Sequence, residues 1–245
     1  MSTPLANDRA EVTDEQRAQL AASGFYITEA LFDDAEIAAM RDELLDIATT
    51  QQEANKTGGT FAYALHQRNI RCREFLRHPV FQQLCAQLLG PDVFQTWNQM
   101  IVKMPGTGGN FAWHQDGYYG AFAPDGTPTE DRTTMAASDT LTFWVALTDT
   151  TIENGCLWAL PGRHEEGFLP HRWNEEGQEW VGTYSTEAEI PVELTAGQIL
   201  VFTRLTPHRS GANTTDAARI GYQIGYAVEE GHYDRVPFLA GGELV

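Results

Sequence analysis

Before Gly90, hydrophobic residues recur mainly at the spacing of amphipathic helices. Residues 13–16, with the sequence TDEQ, form a capping-box pattern for a short helix that Gly24 would end. Apolar periodicity predicts a longer helix over residues 34–51 and another over residues 80–89. Between the first two helices, residues 24–28 predict a short strand.

After Pro91 the pattern changes to short apolar or alternating runs separated by Gly, Pro, Asn and Asp. Such runs predict strands of an antiparallel sandwich or barrel. Helices followed by strands indicate an α+β, mainly β, fold with the N-terminal helices packed on one sheet. We expect one domain over residues 1–245, with residues 1–12 flexible. The predicted strands are residues 93–104, 111–116, 140–148, 156–160, 199–205 and 219–228.

Two long polar stretches, residues 117–139 and 164–190, interrupt the predicted strands. Loops of this length in a compact domain are typical of lids and binding segments. Both stretches are rich in aromatic residues. These side chains could pack over the core, form a lid that selects the substrate, or form an oligomer contact. The candidate substrate contacts are Tyr118, Tyr119, Trp173 and Trp180.

Composition excludes several classes of protein. Hydrophobic residues make up 42% of the chain and aromatic residues 11%, which excludes a disordered protein. No apolar run approaches the length of a membrane-spanning helix, and the N-terminus lacks the apolar segment of a secretory signal. The chain has three cysteines, an odd number, and none of them is spaced as in a CxxC motif. This pattern argues against a disulfide framework and indicates a reducing compartment, so we expect a cytoplasmic protein.

The charge balance is strongly acidic. Sixteen Lys and Arg residues face 34 Asp and Glu residues, a formal net charge of −18. Such a protein repels polyanions, so we expect no nucleic acid and no anionic membrane among its partners.

Candidate chemistry begins at His114 and Asp116. On a strand, residues i and i+2 project to the same face, so this pair can grip one metal ion. His208, at the end of a later apolar run, offers a second imidazole. Two histidines and one carboxylate form the facial triad of non-haem Fe(II) oxygenases, with open positions for cosubstrate and O2. The alternative is an interior histidine and a turn-forming aspartate.

Arg219 opens the strand that follows His208. If the turn over residues 210–216 joins the two strands as antiparallel neighbours, Arg219 returns close to His208. A buried guanidinium there can bind a carboxylate in bidentate fashion, as a dicarboxylic cosubstrate requires. The alternative is an exposed charge on an edge strand.

Several blocks, in order along residues 24–228, resemble those of the phytanoyl-CoA dioxygenase-like family of Fe(II)/2-oxoglutarate-dependent oxygenases. One chance match would be uninformative, but the ordered set is specific. The blocks are WHQD at 113–116, WVALTD at 144–149, ENGCL at 153–157, LPGRH at 160–164, PHRS at 207–210, Asn213 and Arg219.

The resemblance implies a double-stranded β-helix core, of the jelly-roll or cupin-like type. It implies Fe(II) held by His114, Asp116 and His208, and 2-oxoglutarate clamped by Arg219, with these four residues carrying the catalysis. Ser210 and Trp144 would lie near the cosubstrate, and Gln99 or Met100 would line that pocket. We interpret residues 153–164 as structural turns.

The implied reaction consumes 2-oxoglutarate and O2 and releases succinate and CO2 as a substrate C–H bond is oxidised. Related halogenases lack the carboxylate that Asp116 supplies, so we expect hydroxylation; desaturation, epoxidation and cyclisation stay open. An acyl-CoA would need basic residues for its phosphates, and the chain has two lysines. Although the arginine-rich residues 68–77 could serve an acyl-CoA, we expect a small neutral or cationic substrate, such as an intermediate of secondary metabolism.

Two other classes of function remain open at this stage. One is a non-catalytic jelly-roll binding protein, and the other is a cupin-type metalloenzyme that does not use 2-oxoglutarate. The intact triad with Arg219 argues against the first, and the single HxD motif against the second. The sequence is compatible with either a monomer or a homodimer.

Overall fold

A computed structural model describes residues 10–50, 60–106, 109–128, 139–228 and 236–245. Two antiparallel sheets pack against each other in a jelly roll, and the N-terminal helices cover the outer face of the larger sheet. The predicted mainly-β fold with helices on one sheet is confirmed.

The larger sheet has the strand order β1-β10-β5-β12-β3-β13-β14, with β2 also paired to β3. Its strands are β1 (Phe25–Ile27), β2 (Thr60–Tyr63), β3 (Val93–Lys103), β5 (Thr140–Ala146), β10 (Ile199–Thr203), β12 (Arg219–Ala227), β13 (Val236–Ala240) and β14 (Glu243–Leu244).

The smaller sheet has the order β4-β11-β6-β9, and β7 and β8 form a separate hairpin. These strands are β4 (Phe111–His114), β6 (Leu157–Ala159), β7 (His171–Asn174), β8 (Glu179–Gly182), β9 (Ile190–Val192) and β11 (His208–Ser210). The helices are α1 (Asp14–Ser23), α2 (Asp34–Thr50), α3 (Leu65–Arg68), α4 (Ile70–Leu76), α5 (Pro79–Leu88), α6 (Tyr118–Ala121) and a 3₁₀ helix (Arg163–Glu166).

Local signals placed the first helices correctly. Thr13 and Gln16 form the reciprocal capping box of α1, and Gly24 ends it in the left-handed conformation at φ 86°. Ala10 and Val12, at the C-terminal end of the segment predicted to be flexible, are buried in the core. Residues 1–9 lie outside the described residues.

The two polar stretches contain more regular structure than their composition indicated. The stretch over residues 164–190, for which we predicted a lid-like loop, contains the 3₁₀ helix and the β7–β8 hairpin. The stretch over residues 117–139 begins with α6, and residues 129–138 lie outside the described part of the chain.

The predicted pairing of the His208 strand with the Arg219 strand is also wrong. β11 lies between β4 and β6 in the smaller sheet, whereas β12 lies between β3 and β5 in the larger one. The turn after Ser210 therefore carries the chain from one sheet to the other. His208 and Arg219 approach the same interior space from opposite sheets.

In the described part of the chain, no helix is both long and apolar enough to cross a bilayer. Cys72, Cys85 and Cys156 are free thiols, and all three are buried.

Candidate metal centre

His114, Asp116 and His208 meet at one edge of the smaller sheet. The two histidines are opposite each other in the register of β4 and β11, which brings their rings to 4.2 Å between centroids. Asp116 follows the end of β4, and its Oδ1 lies 3.6 Å from Nε2 of each histidine. One potential ligand atom from each residue lies within 4.8 Å of the other two.

Backbone carbonyls orient both imidazoles. Nδ1 of His114 donates to the carbonyl oxygen of Ala112 at 2.8 Å, and Nδ1 of His208 donates to that of Thr206 at 3.0 Å. A carbonyl oxygen only accepts, so the proton of each neutral ring is held on Nδ1. Each Nε2 lone pair is thereby left facing Asp116, as a metal ligand requires.

The other carboxylate oxygen of Asp116 is held from the larger sheet. Thr142 Oγ1 donates to Oδ2 at 3.0 Å, and Gln223 Nε2 donates to it at 3.2 Å. Gln223 is itself fixed by a hydrogen bond from Gln99 at 2.9 Å. Oδ1 therefore remains directed at the two imidazoles.

The protonation of the three groups is strongly perturbed. Burial opposes the ionised form of Asp116, but His208 and His114 outweigh it and lower the pKa of the carboxyl. Burial, reinforced by His114, lowers the pKa of His208 to about 4. Burial also opposes protonation of His114, but Asp116 outweighs it and raises the pKa of that ring. At neutral pH the cluster has a carboxylate and an unprotonated His208, both suited to a cation.

Gln115 points away from the cluster, as strand alternation predicts, and is fully buried. Its Nε2 donates to the carbonyl oxygens of Gly167 and Leu205, and its Oε1 accepts from the backbone N–H of Leu169. This side chain ties the turn that carries Asp116 to two neighbouring segments.

A cavity opens beside the cluster and runs between the two sheets towards Arg219. Three predicted cosubstrate residues, Ser210, Trp144 and Gln99, line it. The lining comprises Gln99, Ile101, Phe111, His114, Asp116, Trp144, Leu157, His208, Arg209, Ser210, Arg219 and Gln223.

Of the two alternatives, Gln99 or Met100, only Gln99 is among the residues that line the cavity, and Met100 is not. Its side chain is buried among the core residues on the helix side of the larger sheet. Adjacent residues of a strand face opposite sides, and Gln99 takes the cavity side.

Arg219 is 1% exposed and lies 5.2 Å above the ring of Trp144. Its Nη2 donates to the carbonyl oxygen of Gly155 at 2.8 Å, but Nε and Nη1 are buried with no partner among the described residues. Gly155 adopts φ +86°, and a Cβ there would lie 2.4 Å from the carbonyl oxygen of Gly211. The turn predicted as structural therefore also positions Arg219.

Of the four predicted substrate residues, Tyr119 comes nearest to the cluster. Its ring lies edge-on to His114 at 5.9 Å, and its hydroxyl accepts from the backbone N–H of Trp180 at 3.2 Å. Trp180 is 4% exposed and contacts the rings of Tyr118 and Trp173. Tyr119 thus connects the cluster of His114, Asp116 and His208 to a layer of aromatic side chains on α6 and the β7–β8 hairpin.

Sequence reasoning missed Thr142, Gln223 and Lys103, which support the site from within apolar strands. They could have been recognised as polar residues two or four positions from a predicted site residue on the same strand, because such residues face the same side of the sheet. Gln223, four residues after Arg219, is an example. His164 lies outside the site but is buried, at 7% exposed, and its Nε2 contacts the carbonyl oxygen of Ala21.

Comparison with known families gives one match over most of the chain. The model of the family described as phytanoyl-CoA dioxygenase (PhyH) matches residues 20–221. Phytanoyl-CoA dioxygenase domain-containing protein 1 of Danio rerio is 28% identical over 186 residues, covering 72% of this chain. The chain spans 58% of the length of that relative.

Solved structures share the fold. The epimerase SnoN, in complex with Fe3+, alpha ketoglutarate and nogalamycin RO, is 21% identical with a TM-score of 0.70, over 87% of this chain and 82% of that one. EvdO2 from Micromonospora carbonacea var. aurantiaca, complexed with 2-oxoglutarate, is 20% identical with a TM-score of 0.70, over 93% and 95% of the two chains.

Proposed function

The chain belongs to the phytanoyl-CoA dioxygenase family, and on this premise we propose that it is an Fe(II)- and 2-oxoglutarate-dependent dioxygenase that hydroxylates an unactivated C–H bond of a small metabolite. One observation carries the proposal. The same cavity is bordered at one end by His114, Asp116 and His208, and at the other by the buried guanidinium of Arg219.

The donor set fits Fe(II). Two imidazole nitrogens and one carboxylate oxygen form a facial triad that leaves open positions for cosubstrate and O2. Fe(II) held by these residues would let O2 act as the oxidant: one oxygen atom would enter succinate as 2-oxoglutarate loses CO2, and the other would enter the hydroxylated substrate. Because Asp116 supplies the third protein ligand, no position is left vacant for a halide as in the related halogenases.

Arg219 is suited to the far carboxylate of 2-oxoglutarate. The unpartnered Nε and Nη1 atoms belong to a planar group that binds carboxylates in bidentate fashion. Trp144 packs on this guanidinium and limits its movement, while Ser210 and Gln99 supply further polar atoms to the cavity. Burial of the clamp excludes water and strengthens the ion pair.

We infer that the substrate is neutral or cationic. Glu179 lies in β8 beside Trp180, which contacts Tyr119, and no ion pair of Glu179 is found among the described residues. Burial is the main cause that raises the pKa of Tyr119, and the charge of Glu179 adds to it. Tyr63, 63% exposed, is the cross-strand neighbour of the cavity residue Gln99. Glu179 and the two tyrosines lie close enough to His114 or Asp116 to interact with them, and a carboxylate with two aromatic rings suits an organic cation.

The arginine-rich segment does not favour an acyl-CoA. Arg71 pairs with Glu43 at 3.1 Å, and Arg77 donates to the carbonyl oxygen of Val245 at 2.8 Å. Arg73 donates to the carbonyl oxygen of His66 at 2.8 Å. These arginines thus serve contacts within the protein. A substrate from secondary metabolism and a cytoplasmic location remain predictions.

Anaerobic titration with Fe(II) and then 2-oxoglutarate tests the proposal. A bidentate keto-acid chelate gives a weak visible charge-transfer band, which we expect at one equivalent of each component. A jelly-roll binding protein and a metalloenzyme that does not use 2-oxoglutarate both predict no band, and that result would refute the proposal. A screen of amine and neutral metabolites by succinate release then identifies the substrate class.

A further inference from the structure

Lys103, the last residue of β3, is a fully buried lysine that the proposed chemistry does not use. Its Nζ donates to the carbonyl oxygen of Gly109 at 2.6 Å, lies 2.8 Å from Ser210 Oγ and contacts the carbonyl oxygen of Gly211. Among the described residues, no carboxylate forms an ion pair with it. Burial of a charge without a counter-charge is costly, so this position calls for an explanation.

Lys103 and Arg219 are paired in register across β3 and β12. Like charges directly opposite each other destabilise a sheet, and neither residue has a carboxylate partner in the described part of the chain. This end of the cavity therefore carries uncompensated positive charge, which an anionic ligand would balance.

Ser210 connects Lys103 to the cavity, which it lines together with Arg219. A hydroxyl has one hydrogen to donate, whereas an ammonium group only donates. When Lys103 is charged, Ser210 Oγ must accept from it, and the hydroxyl hydrogen is free to point into the cavity. When Lys103 is neutral, its lone pair can hold that hydrogen instead.

We propose that Lys103 is a positioning residue for the cosubstrate: as the ammonium form, it turns the hydroxyl hydrogen of Ser210 towards the carboxylate that Arg219 binds. The inference rests on the proposed function, because the carboxylate is that of 2-oxoglutarate. Binding of this anion is accompanied by uptake of one proton from solvent at Nζ of Lys103.

Burial, together with the charge of Arg219, lowers the pKa of Lys103 to about 6. The other groups that face Lys103 are Arg209 of β11 and the Cys156 thiol next to β6. Arg219 has a pKa of about 10 and Cys156 one of about 11, so neither titrates near neutrality. Lys103 is thus the group at this end of the cavity that changes charge there.

A double-mutant cycle on the Fe(II)-loaded protein tests the route through Ser210, with the dissociation constant of 2-oxoglutarate measured anaerobically. Lys103→Met should raise this constant about tenfold, the loss of one charge-assisted hydrogen bond. In a Ser210→Ala background the same change should have less than about a twofold effect, because the hydroxyl is already absent. Equal effects in both backgrounds would overturn the inference.

Wild-type protein provides a second test that needs no variant to fold. The dissociation constant of 2-oxoglutarate should rise by up to about tenfold per pH unit above about pH 6, as proton uptake by Lys103 becomes harder. A constant independent of pH would overturn the inference while leaving the proposed function intact. Failure of wild-type protein to bind 2-oxoglutarate at any pH would instead refute the proposed function itself.

Discussion

Gln223 donates a hydrogen bond to Oδ2 of Asp116 at 3.2 Å, across the interior from the larger sheet to the smaller one. The same strand face carries Arg219, so β12 supports both the metal ligand and the cosubstrate clamp. The relative placement of the proposed iron and 2-oxoglutarate sites therefore depends on one strand, β12.

This contact predicts that Gln223→Met weakens Fe(II) binding about 10- to 100-fold, because outer hydrogen bonds orient a ligating carboxylate. Competition with a chromogenic chelator measures the affinity. Gln99→Met is the matched control: it removes only the partner of Gln223 and should cost much less. Equal affinities of wild type and Gln223→Met would contradict the assigned role.

Alanine at His114, Asp116 or His208 should abolish most Fe(II) binding and leave the fold intact, because each supplies one of three ligands. Metal content after anaerobic reconstitution and circular dichroism check the two parts of this prediction. His171→Ala serves as the control, since that ring contacts Tyr118 and lies outside the cluster. Full iron occupancy in His208→Ala would show that another residue completes the site.

Arg219→Lys should weaken 2-oxoglutarate binding by about 2–5 kcal/mol, because an ammonium cannot reproduce the planar fork in a buried ion pair. Fe(II) affinity should not change. Arg209→Lys is the control: Arg209 borders the same cavity, but both its Nε and Nη2 donate to Glu189 at 3.0 Å. An unchanged 2-oxoglutarate affinity in Arg219→Lys would refute the clamp.

Lys103 makes the stability of the metal-free protein depend on pH. Burial lowers its folded-state pKa to about 6, below the ordinary lysine value of 10.5, so between these values the unfolded chain binds a proton that the folded chain lacks. The free energy of unfolding should therefore rise with pH in this window, by at most about 1.4 kcal/mol per unit. Urea unfolding from about pH 6.5 to about pH 8.5 measures the slope, and Lys103→Met should lose this contribution. Parallel profiles of the two proteins would contradict it.

Tyr119→Ala should weaken substrate binding and increase consumption of 2-oxoglutarate without product. Its ring contacts His114 and its hydroxyl anchors β8 through Trp180, so its loss opens the iron site to water. Trp173→Ala should have a smaller effect, since that ring contacts Trp180 and lies further from the metal cluster. If these aromatic residues form an oligomer contact instead, the first effect of the substitutions will be a changed mass in analytical ultracentrifugation. The ratio of product formed to 2-oxoglutarate consumed will change only after that.

Much of this protein is encoded in short sequence patterns. The capping box at Thr13, the helical periodicity over α2 and α5, and the alternation in β3 and β12 place these elements without tertiary information. Spacing within one segment also brings His114 and Asp116 together. His208 and Arg219 were found from their residue types and their places beside apolar runs.

Other features depend on contacts between segments far apart in the chain. The predicted pairing of β11 with β12 was wrong because the two strands lie in different sheets. Local patterns gave no signal for the hairpin within residues 164–190 or for the burial of His164. Periodicity reports which face of an element is buried, but it does not identify the partner strand. Thr142, Gln223 and Lys103 gain their roles only where the two sheets meet.

The sequence by itself determined the residue types for metal and carboxylate binding and the strands that carry them, because these depend on chemistry and local alternation. Only the tertiary structure decided that β12 faces β4 and β11 across the cavity, that Met100 turns away while Gln99 turns in, and that Lys103 lies beside Ser210. Those relations arise from the packing of two sheets, in which each strand's neighbours are set by burial of both faces together rather than by any local pattern.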